Sequence, residues 1–136
     1  MNSTDLHILI AEDELSHAVI FRRRLEKEFP KARIEVVTSL HEFRKSIAVA
    51  TPSIALVDLN LTDGCTLDLL TPAAGAHSFP VVMMSSYASK QVADDALKAG
   101  AMDFIIKSPE VFLSIADIVE KTVCEWEHRQ ETNEAS

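Results

Sequence analysis

LVDLNLTDG, residues 56–64, joins the end of an apolar segment to a polar turn, with Asp58 at the junction. The segment itself, residues 54–59, is short and rich in aliphatic residues. Such a segment with polar flanks is typical of a buried strand. Four further segments of this kind occur at residues 6–11, 34–38, 81–85 and 104–106.

Segments with helical hydrophobic spacing separate these five predicted strands. The fourth stops at Gly100, a typical helix-ending residue, and Ser108 followed by Pro109 predicts the start of the fifth. Strict alternation of strand and helix predicts an α/β domain with one parallel sheet and helices on both faces. The apolar positions expected to face the core are, helix by helix, Val19, Ile20, Leu25 and Phe29; Leu40, Phe43 and Ile47; Leu67, Leu69 and Leu70; Val92, Ala96 and Ala99; and Phe112, Ile115, Val119, Val123 and Trp126.

Length and composition suit one globular domain. The chain has 136 residues, of which 47% are hydrophobic and 25% charged, and this excludes general disorder. Its net charge of -8 disfavours nucleic acid and anionic membrane surfaces as partners. No signal peptide or membrane span is predicted, which indicates a cytoplasmic location. We expect residues 1–127 to form the domain and residues 128–136 to form a frayed polar tail or the start of a linker.

Several classes of site are excluded. The three glycines cannot form a dinucleotide-binding fingerprint or a nucleotide-binding P-loop, because their separations do not fit either motif. Cys65 and Cys124 have no zinc-binding spacing and are predicted to be reduced thiols. The five histidines are scattered without ligand spacing, so we expect none of them at a site.

Polar side chains follow the predicted strands at their carboxyl ends, where ligands bind in open parallel sheets. Glu12 and Asp13 follow the first strand, Asp58 ends the third, Ser85 ends the fourth and Lys107 follows the fifth. Clustered carboxylates suit a cation such as Mg²⁺, and a lysine with a hydroxyl suits phosphoryl oxygens. A carboxylate such as Asp58 can accept a phosphoryl group as an acyl phosphate.

Four segments of the chain resemble the receiver domain of response regulators, the chemotaxis-regulator-like domain of two-component signal transduction. They are LIAEDE at the first strand, LVDLNLTDG at the third, PVVMMSS at the fourth and GAMDFIIKS at the fifth. Each segment alone is weak evidence for the family, but all four occur in the family's order over about residues 6–126. The resemblance implies a flavodoxin-like fold, a doubly wound five-stranded parallel sheet in the order 2-1-3-4-5. It also implies a Mg²⁺-dependent phosphoaspartate and a phosphohistidine donor on a sensor kinase or phosphotransfer protein.

The resemblance also implies roles for individual residues, and these roles are carried over by position in the four segments. Further residues, near the implied phosphoacceptor, are assigned to the metal, to the phosphoryl oxygens or to the switch. The assignments are Asp58 as phosphoacceptor; Glu12, Asp13, Asp58 and the backbone carbonyl of Asn60 at Mg²⁺; Ser85 and Lys107 on the phosphoryl group; Phe104 and Ser85 as switch residues; and Tyr87 as a bulky neighbour that slows hydrolysis.

The chain departs from the family's pattern close to the implied site. Ser108 stands where a proline usually follows the lysine, and a cis bond to serine costs roughly 2.5–4 kcal/mol, so we expect a trans bond or a strained loop. Thr62 and Thr66 stand where related sequences often have proline and glycine, which predicts a different loop after Asp58. None of these changes removes a required group.

The resemblance implies a phosphorylation-controlled switch, not an enzyme that turns over a separate substrate. A partner or second copy would bind the face formed by the predicted fourth helix, fifth strand and fifth helix. The chain could be a stand-alone regulator or a receiver within a longer sensory protein. Two alternatives are a pseudo-receiver interaction module and, less favoured, a haloacid-dehalogenase-like phosphatase, in which Asn60 would replace the required second carboxylate.

Overall fold

The computed structural model describes residues 6–67, 78–87 and 89–135 as alternating strands and helices. The predicted third helix, around Leu69 and Leu70, falls largely on residues 68–77, outside the described residues. The elements are β1 (His7–Ala11), α1 (Leu15–Glu28), β2 (Arg33–Val37), α2 (Leu40–Val49), β3 (Ile54–Asp58), β4 (Asn60–Leu61), β5 (Gly64–Cys65), β6 (Val81–Ser85), α3 (Lys90–Ala99), β7 (Asp103–Ile106) and α4 (Pro109–Ala135).

Five strands form one parallel sheet in the order β2-β1-β3-β6-β7. Ile8 of β1 pairs with Ile34 of β2 on one side and with Ile54 of β3 on the other. Without the two-residue strands β4 and β5, this is the order 2-1-3-4-5, so the predicted flavodoxin-like fold is confirmed. Because the strands are parallel, their carboxyl ends, including Asp58 and Ser85, meet at one edge.

Two apolar clusters, one on each face of the sheet, form the core. Successive strand residues point to opposite faces, so Leu9 packs with Phe43 of α2 while Ile10 packs with Phe21 of α1. Helix α4 joins the second cluster through buried residues such as Val119. The central strands are covered on both faces, which explains their continuous apolar sequences.

The core-facing side of α1 differs from the prediction. Leu25 and Phe29 are buried as expected, but Val19 and Ile20 are 45% and 40% exposed. The buried face instead begins at Ala18 and continues at intervals of three and four residues. The prediction for Val19 and Ile20 is wrong because the flanking apolar residues of α1 allow two neighbouring helix faces, and packing on the sheet selects one.

The predicted helix boundaries around the fifth strand are confirmed. Helix α3 is followed by Gly100, whose φ of 119° is left-handed and therefore suited to glycine. At the start of α4, the Ser108 hydroxyl accepts a hydrogen bond from the Val111 N–H at 3.3 Å. The described residues contain no cis peptide bond, so the Lys107–Ser108 bond is trans.

Helix α4 is longer than predicted, with 27 residues that continue to Ala135. The segment expected to fray is helical because it is rich in residues that favour helices, such as Glu and Gln. The Thr132 hydroxyl donates to the His128 carbonyl, and Arg129 reaches Met102 Sδ at 3.1 Å. Fraying of residues 128–135 is therefore a wrong prediction, whereas the division into domain and linker stays a prediction. Among the described helices, none is both long and apolar enough to cross a membrane.

Candidate functional site

A cavity of about 240 Å³ lies at the edge of the sheet where the strands end. Asp58 at the end of β3, Ser85 at the end of β6 and Lys107 after β7 line it. Asp13 enters from the loop between β1 and α1, and Asn60 enters from the segment after Asp58. The structure thus brings together side chains that are up to 94 positions apart, between Asp13 and Lys107.

The Lys107 ammonium connects two carboxylates at this cavity. Its Nζ donates to Asp58 Oδ2 at 2.5 Å and to the two Glu12 carboxylate oxygens at 3.0 and 3.1 Å. The side chains of Lys107 and Glu12 are only 4% and 0% exposed. Because these charges are withdrawn from water, each depends on the others for compensation. The backbone N–H of Lys107 also donates to the Ser85 carbonyl, which holds the lysine against β6.

Three carboxylates form a cluster that is suited to a divalent cation. Glu12, Asp13 and Asp58 each bring an oxygen within 4.8 Å of the others. Mg²⁺ prefers such oxygen ligands and usually binds through one or two carboxylates together with water and phosphate oxygens. Both Glu12 oxygens accept hydrogen bonds from Lys107, whereas Asp13 and Asp58 line the cavity. Asp13 and Asp58 are therefore the carboxylates that an ion in the cavity would meet first.

The buried charges shift two pKa values. Burial raises the pKa of the Glu12 carboxyl from 4.5 to about 7; the hydrogen bond from Lys107 opposes this rise and the charge of Asp58 adds to it. Burial lowers the pKa of Lys107, but its hydrogen bonds and charge contacts with Asp58 and Glu12 outweigh burial and raise the pKa above 10.5. Lys107 is therefore a fixed cation near neutral pH, beside a glutamate that resists ionisation.

We expect the free energy of unfolding of the metal-free protein to fall as the pH rises from about 5 to about 7.5. The folded protein binds the Glu12 proton more tightly than the unfolded chain does, so stabilisation present below pH 4.5 is lost as the pH rises through 7. The loss should be on the order of 2 kcal/mol, since charge coupling to Asp58 and Lys107 limits it.

Urea unfolding in EDTA at several pH values measures this dependence. Glu12→Gln should flatten it, whereas Glu28→Gln, on the exposed side of α1, should leave it unchanged. A dependence that is the same in Glu12→Gln and wild type would contradict the assignment to Glu12.

The segment after Asp58 forms a small antiparallel hairpin in which β4 pairs with β5. The Asn60 N–H donates to Asp58 Oδ1 at 3.0 Å and so fixes the second carboxylate oxygen. Asp63 in the turn accepts hydrogen bonds from the N–H groups of Leu40 and His41 at 2.8 and 3.0 Å. These two bonds lower the pKa of Asp63 and tie the hairpin to the start of α2.

Of the three residues with implied switch or modulating roles, Ser85 and Tyr87 line the cavity and Phe104 packs against the core. Ser85 is buried, and its hydroxyl accepts a hydrogen bond from the Tyr87 N–H at 3.2 Å. The Tyr87 side chain lines the cavity and is 87% exposed. Phe104 is half-buried and packs against the core cluster on the α2 and α3 face. Their roles in phosphorylation stay predictions.

No site role was predicted from the sequence for Glu14, His17 or Ser86, which line the cavity, or for Thr66, which contacts Asp58. His17 lines the cavity, its Nδ1 lies 3.4 Å from Glu12 Oε1, and its ring packs on Phe112. The available signal was its place in the first turn of the predicted first helix, four residues after Asp13. Thr66 is fully buried, and its hydroxyl donates to the Asp58 carbonyl at 2.8 Å. For Thr66, the signal was a hydroxyl in place of the family's usual glycine.

Comparison with known proteins identifies the domain that the four sequence segments resemble. The sequence profile of the response regulator receiver domain matches residues 8–118. The methanogenesis regulatory protein FilR1 of Methanothrix harundinacea is 30% identical over 123 residues, which are 88% of this chain and 28% of that protein. The response regulator protein PilR of Pseudomonas aeruginosa is 33% identical over 102 residues, 73% of this chain and 22% of that protein. The chain thus spans about a quarter of the length of these relatives.

Solved structures show the same architecture. The CheY-like response regulator receiver domain protein from Methanospirillum hungatei aligns with a TM-score of 0.80 and 25% sequence identity. The alignment covers 92% of this chain and 98% of that one, so the described sheet and helices correspond to the whole of a receiver domain.

Proposed function

Because this chain belongs to the family of response regulator receiver domains, we propose that it accepts a phosphoryl group on Asp58 and acts as a switch in a two-component phosphorelay. The observation that carries the proposal is the contact of the Lys107 ammonium with the carboxylates of Asp58 and Glu12. It sets a carboxylate nucleophile beside a fixed positive charge. Phosphoryl transfer is accelerated mainly by such positioning and charge compensation.

The proposed reaction is a substitution at phosphorus. An oxygen of the Asp58 carboxylate forms a bond to the phosphorus while the bond to the donor's imidazole nitrogen breaks, and the electron pair of that bond stays on the nitrogen. The donor's ring carries a proton on its other nitrogen and therefore leaves as neutral imidazole. Lys107 compensates the charge of the phosphoryl oxygens, and the Ser85 hydroxyl donates to one of them. The product is an acyl phosphate on Asp58.

The proposed ligands of Mg²⁺ are the carboxylates of Asp13, Asp58 and Glu12 and the backbone carbonyl of Asn60. The ion would supply positive charge that offsets the charge of the phosphoryl oxygens. Support for this proposal is the group of three carboxylate oxygens within 4.8 Å of one another.

We infer that the domain catalyses only its own phosphorylation and a slow hydrolysis, which Tyr87 slows by its bulk at the cavity. A haloacid-dehalogenase-like phosphatase is not favoured, because Asn60 cannot supply the carboxylic acid that protonates a leaving group. A pseudo-receiver is not favoured either, since the acidic cluster, Ser85 and Lys107 all lie at one cavity. A cytoplasmic location is part of the same proposal.

Intact-mass measurement with Mg²⁺ and a small phosphodonor, phosphoramidate or acetyl phosphate, tests the function. We expect the gain of one phosphoryl group, its absence in EDTA, and its removal by hydroxylamine, which cleaves acyl phosphates. Borohydride reduction before peptide mapping should mark the peptide that carries Asp58. No gain with either donor would reject the proposal and favour a pseudo-receiver.

The phosphohistidine donor is proposed to dock on α1 beside the cavity. Leu15, Val19 and Ile20 form an exposed apolar patch there, with exposed fractions of 70%, 45% and 40%. Glu14 and His17, which border this patch in sequence, line the cavity. A sensor kinase or phosphotransfer protein seated on the patch would therefore bring its histidine close to Asp58.

Replacing Leu15 by glutamate should slow phosphorylation by a phosphohistidine protein about ten-fold, because a charge at the centre of an apolar interface is poorly compensated. Phosphorylation by acetyl phosphate should stay within about two-fold of wild type, since the small donor needs no docking surface. Val49→Glu, at an 86% exposed apolar position on α2, is the matched control. Equal slowing with both donors would assign Leu15 to the site instead of to docking.

The face formed by α3, β7 and α4 is proposed to transmit the signal by binding a partner. This face exposes Leu97, Ile106 and Leu113, one apolar residue from each element. Movement of Ser85 toward the phosphoryl group would give Phe104 room to turn inward and reshape the face. A downstream partner or a second copy would bind there, whether the chain acts as a stand-alone regulator or as a receiver within a longer protein.

A further inference from the structure

Thr66 is a buried hydroxyl beside the proposed phosphoacceptor, and the function described so far does not use it. It comes directly after β5 and is 0% exposed. Its Oγ1 lies 2.8 Å from the Asp58 carbonyl oxygen, 3.1 Å from that of Leu59 and 3.5 Å from Met83 Sδ. A hydroxyl has one proton, so it can donate fully to only one of these three acceptors.

The Asp58 carbonyl is the best placed of the three acceptors. Its contact is the shortest, and the Leu59 carbonyl already accepts the backbone N–H of Thr66 at 2.8 Å. The thioether sulfur of Met83 is a weak acceptor. The hydroxyl proton of Thr66 is therefore assigned to the Asp58 carbonyl.

This hydrogen bond holds one end of a peptide group whose other end is also held. The N–H of Leu59 donates to the Met84 carbonyl of β6 at 2.7 Å, while the carbonyl of Asp58 accepts from Thr66. Because a peptide group is planar, two bonds on opposite sides set its orientation. That orientation determines where the Asp58 side chain leaves the main chain, and also where the chain continues to Asn60.

We propose that Thr66 is a positioning residue for phosphoryl transfer: its hydroxyl holds the Asp58–Leu59 peptide so that the Asp58 carboxylate and the Asn60 carbonyl face the same cavity. The inference rests on the proposed function, because it assigns Thr66 to a reaction at Asp58. Misplacement of a reacting group by a fraction of an ångström lowers the rate of a positioned reaction. Receiver domains with glycine at this position have no hydroxyl and must orient this peptide by other contacts.

Thr66→Val and Thr66→Ser separate positioning from packing. Valine keeps the shape of threonine and removes the hydroxyl, whereas serine keeps the hydroxyl and removes the methyl group. Thr122→Val is the matched control, since Thr122 is a buried threonine of α4, outside the cavity lining. The measurements are the rate of phosphorylation by acetyl phosphate at saturating Mg²⁺ and the dissociation constant of Mg²⁺ by calorimetry. Circular dichroism shows which variants are folded.

We expect Thr66→Val to be phosphorylated about ten-fold more slowly than wild type and to bind Mg²⁺ several-fold more weakly, because both ligands move with the peptide. Thr66→Ser and Thr122→Val should keep the rate within about two-fold of wild type. A folded Thr66→Val with a wild-type rate and wild-type Mg²⁺ affinity would overturn the inference. If Thr66→Val does not fold, Thr66→Ala takes its place as the variant without a hydroxyl, compared with Thr66→Ser.

Failure of the inference and failure of the proposed function give different results. A wild-type protein that takes no phosphoryl group rejects the proposed function and, with it, the role of Thr66 in the reaction. A wild type that is phosphorylated, together with a Thr66→Val that is phosphorylated equally fast, rejects the positioning role alone. Slowing by serine as large as that by valine also rejects it, because the rate would then respond to any change in packing at this position and not to loss of the hydroxyl in particular.

Discussion

Replacing Asp58 by asparagine should lower Mg²⁺-dependent phosphoryl incorporation by about three orders of magnitude or more, to the background of the assay. An amide is a poor nucleophile at phosphorus and cannot form an acyl phosphate. The fold should persist, because the amide oxygen of asparagine can still accept a hydrogen bond from Lys107, and Glu12 keeps its own contacts with the lysine. The free energy of unfolding should change by about 1 kcal/mol or less at neutral pH.

Asp63→Asn is the matched control for Asp58→Asn, because Asp63 lies in the hairpin that follows Asp58 and caps α2 without lining the cavity. It should keep the rate of phosphorylation and lose some thermal stability, since Leu40 and His41 donate to different oxygens of Asp63 and asparagine keeps only one, uncharged, acceptor oxygen. Intact mass gives the first quantity and thermal unfolding by circular dichroism gives the second. If Asp58→Asn gained a phosphoryl group at the wild-type rate, Asp58 would not be the acceptor.

Replacing Lys107 by methionine should destabilise the metal-free protein by about 3 kcal/mol at pH 8, because it leaves two buried carboxylates without their cation. The cost should be smaller near pH 5.5, since Glu12 can then take up a proton and become neutral. Mg²⁺ should restore part of the stability of the variant, because an ion among the carboxylates replaces some of the lost charge. Phosphorylation should fall about a hundred-fold or more, as expected when a charge-compensating group is lost.

Urea unfolding of Lys107→Met with EDTA and with Mg²⁺, at both pH values, measures these effects. Lys121→Met, on the exposed surface of α4, is the control and should change the free energy of unfolding by about 0.5 kcal/mol or less. Equal destabilisation of Lys107→Met at both pH values would show that the lysine stabilises through packing, not through its charge next to Glu12.

The fold was predictable because it depends on local patterns. The apolar segments that become β1, β3 and β6 are buried on both faces, so their sequences are uninterrupted and distinct from the helices between them. Gly100 and Ser108 mark helix ends by chemistry that acts within a few residues. The meeting of Asp58, Ser85 and Lys107 at one edge of the sheet was also predictable, because parallel strands bring their carboxyl ends to the same edge whatever the details of packing.

Other features depend on contacts between distant residues and were not predictable. The rotation of α1, which exposes Val19 and Ile20, is set by how Phe21 fits against the sheet and Phe112. The position of His17 beside Glu12 results from the same rotation. The hydrogen bond from Thr66 to the Asp58 carbonyl forms only because the hairpin brings the chain back to the end of β3. No local sequence pattern predicts that position.

The order of strands and helices, the edge that carries the site and the identity of its acid, hydroxyl and lysine all follow from the chain's own pattern, since hydrophobic periodicity and strand polarity are properties of short segments. The tertiary structure alone decided that Glu12 turns to Lys107 while Asp13 lines the cavity, and that Thr66 holds the Asp58 peptide. These outcomes depend on which buried polar group finds a partner once water is excluded. That choice is made in the packed core, among residues that are far apart in the chain.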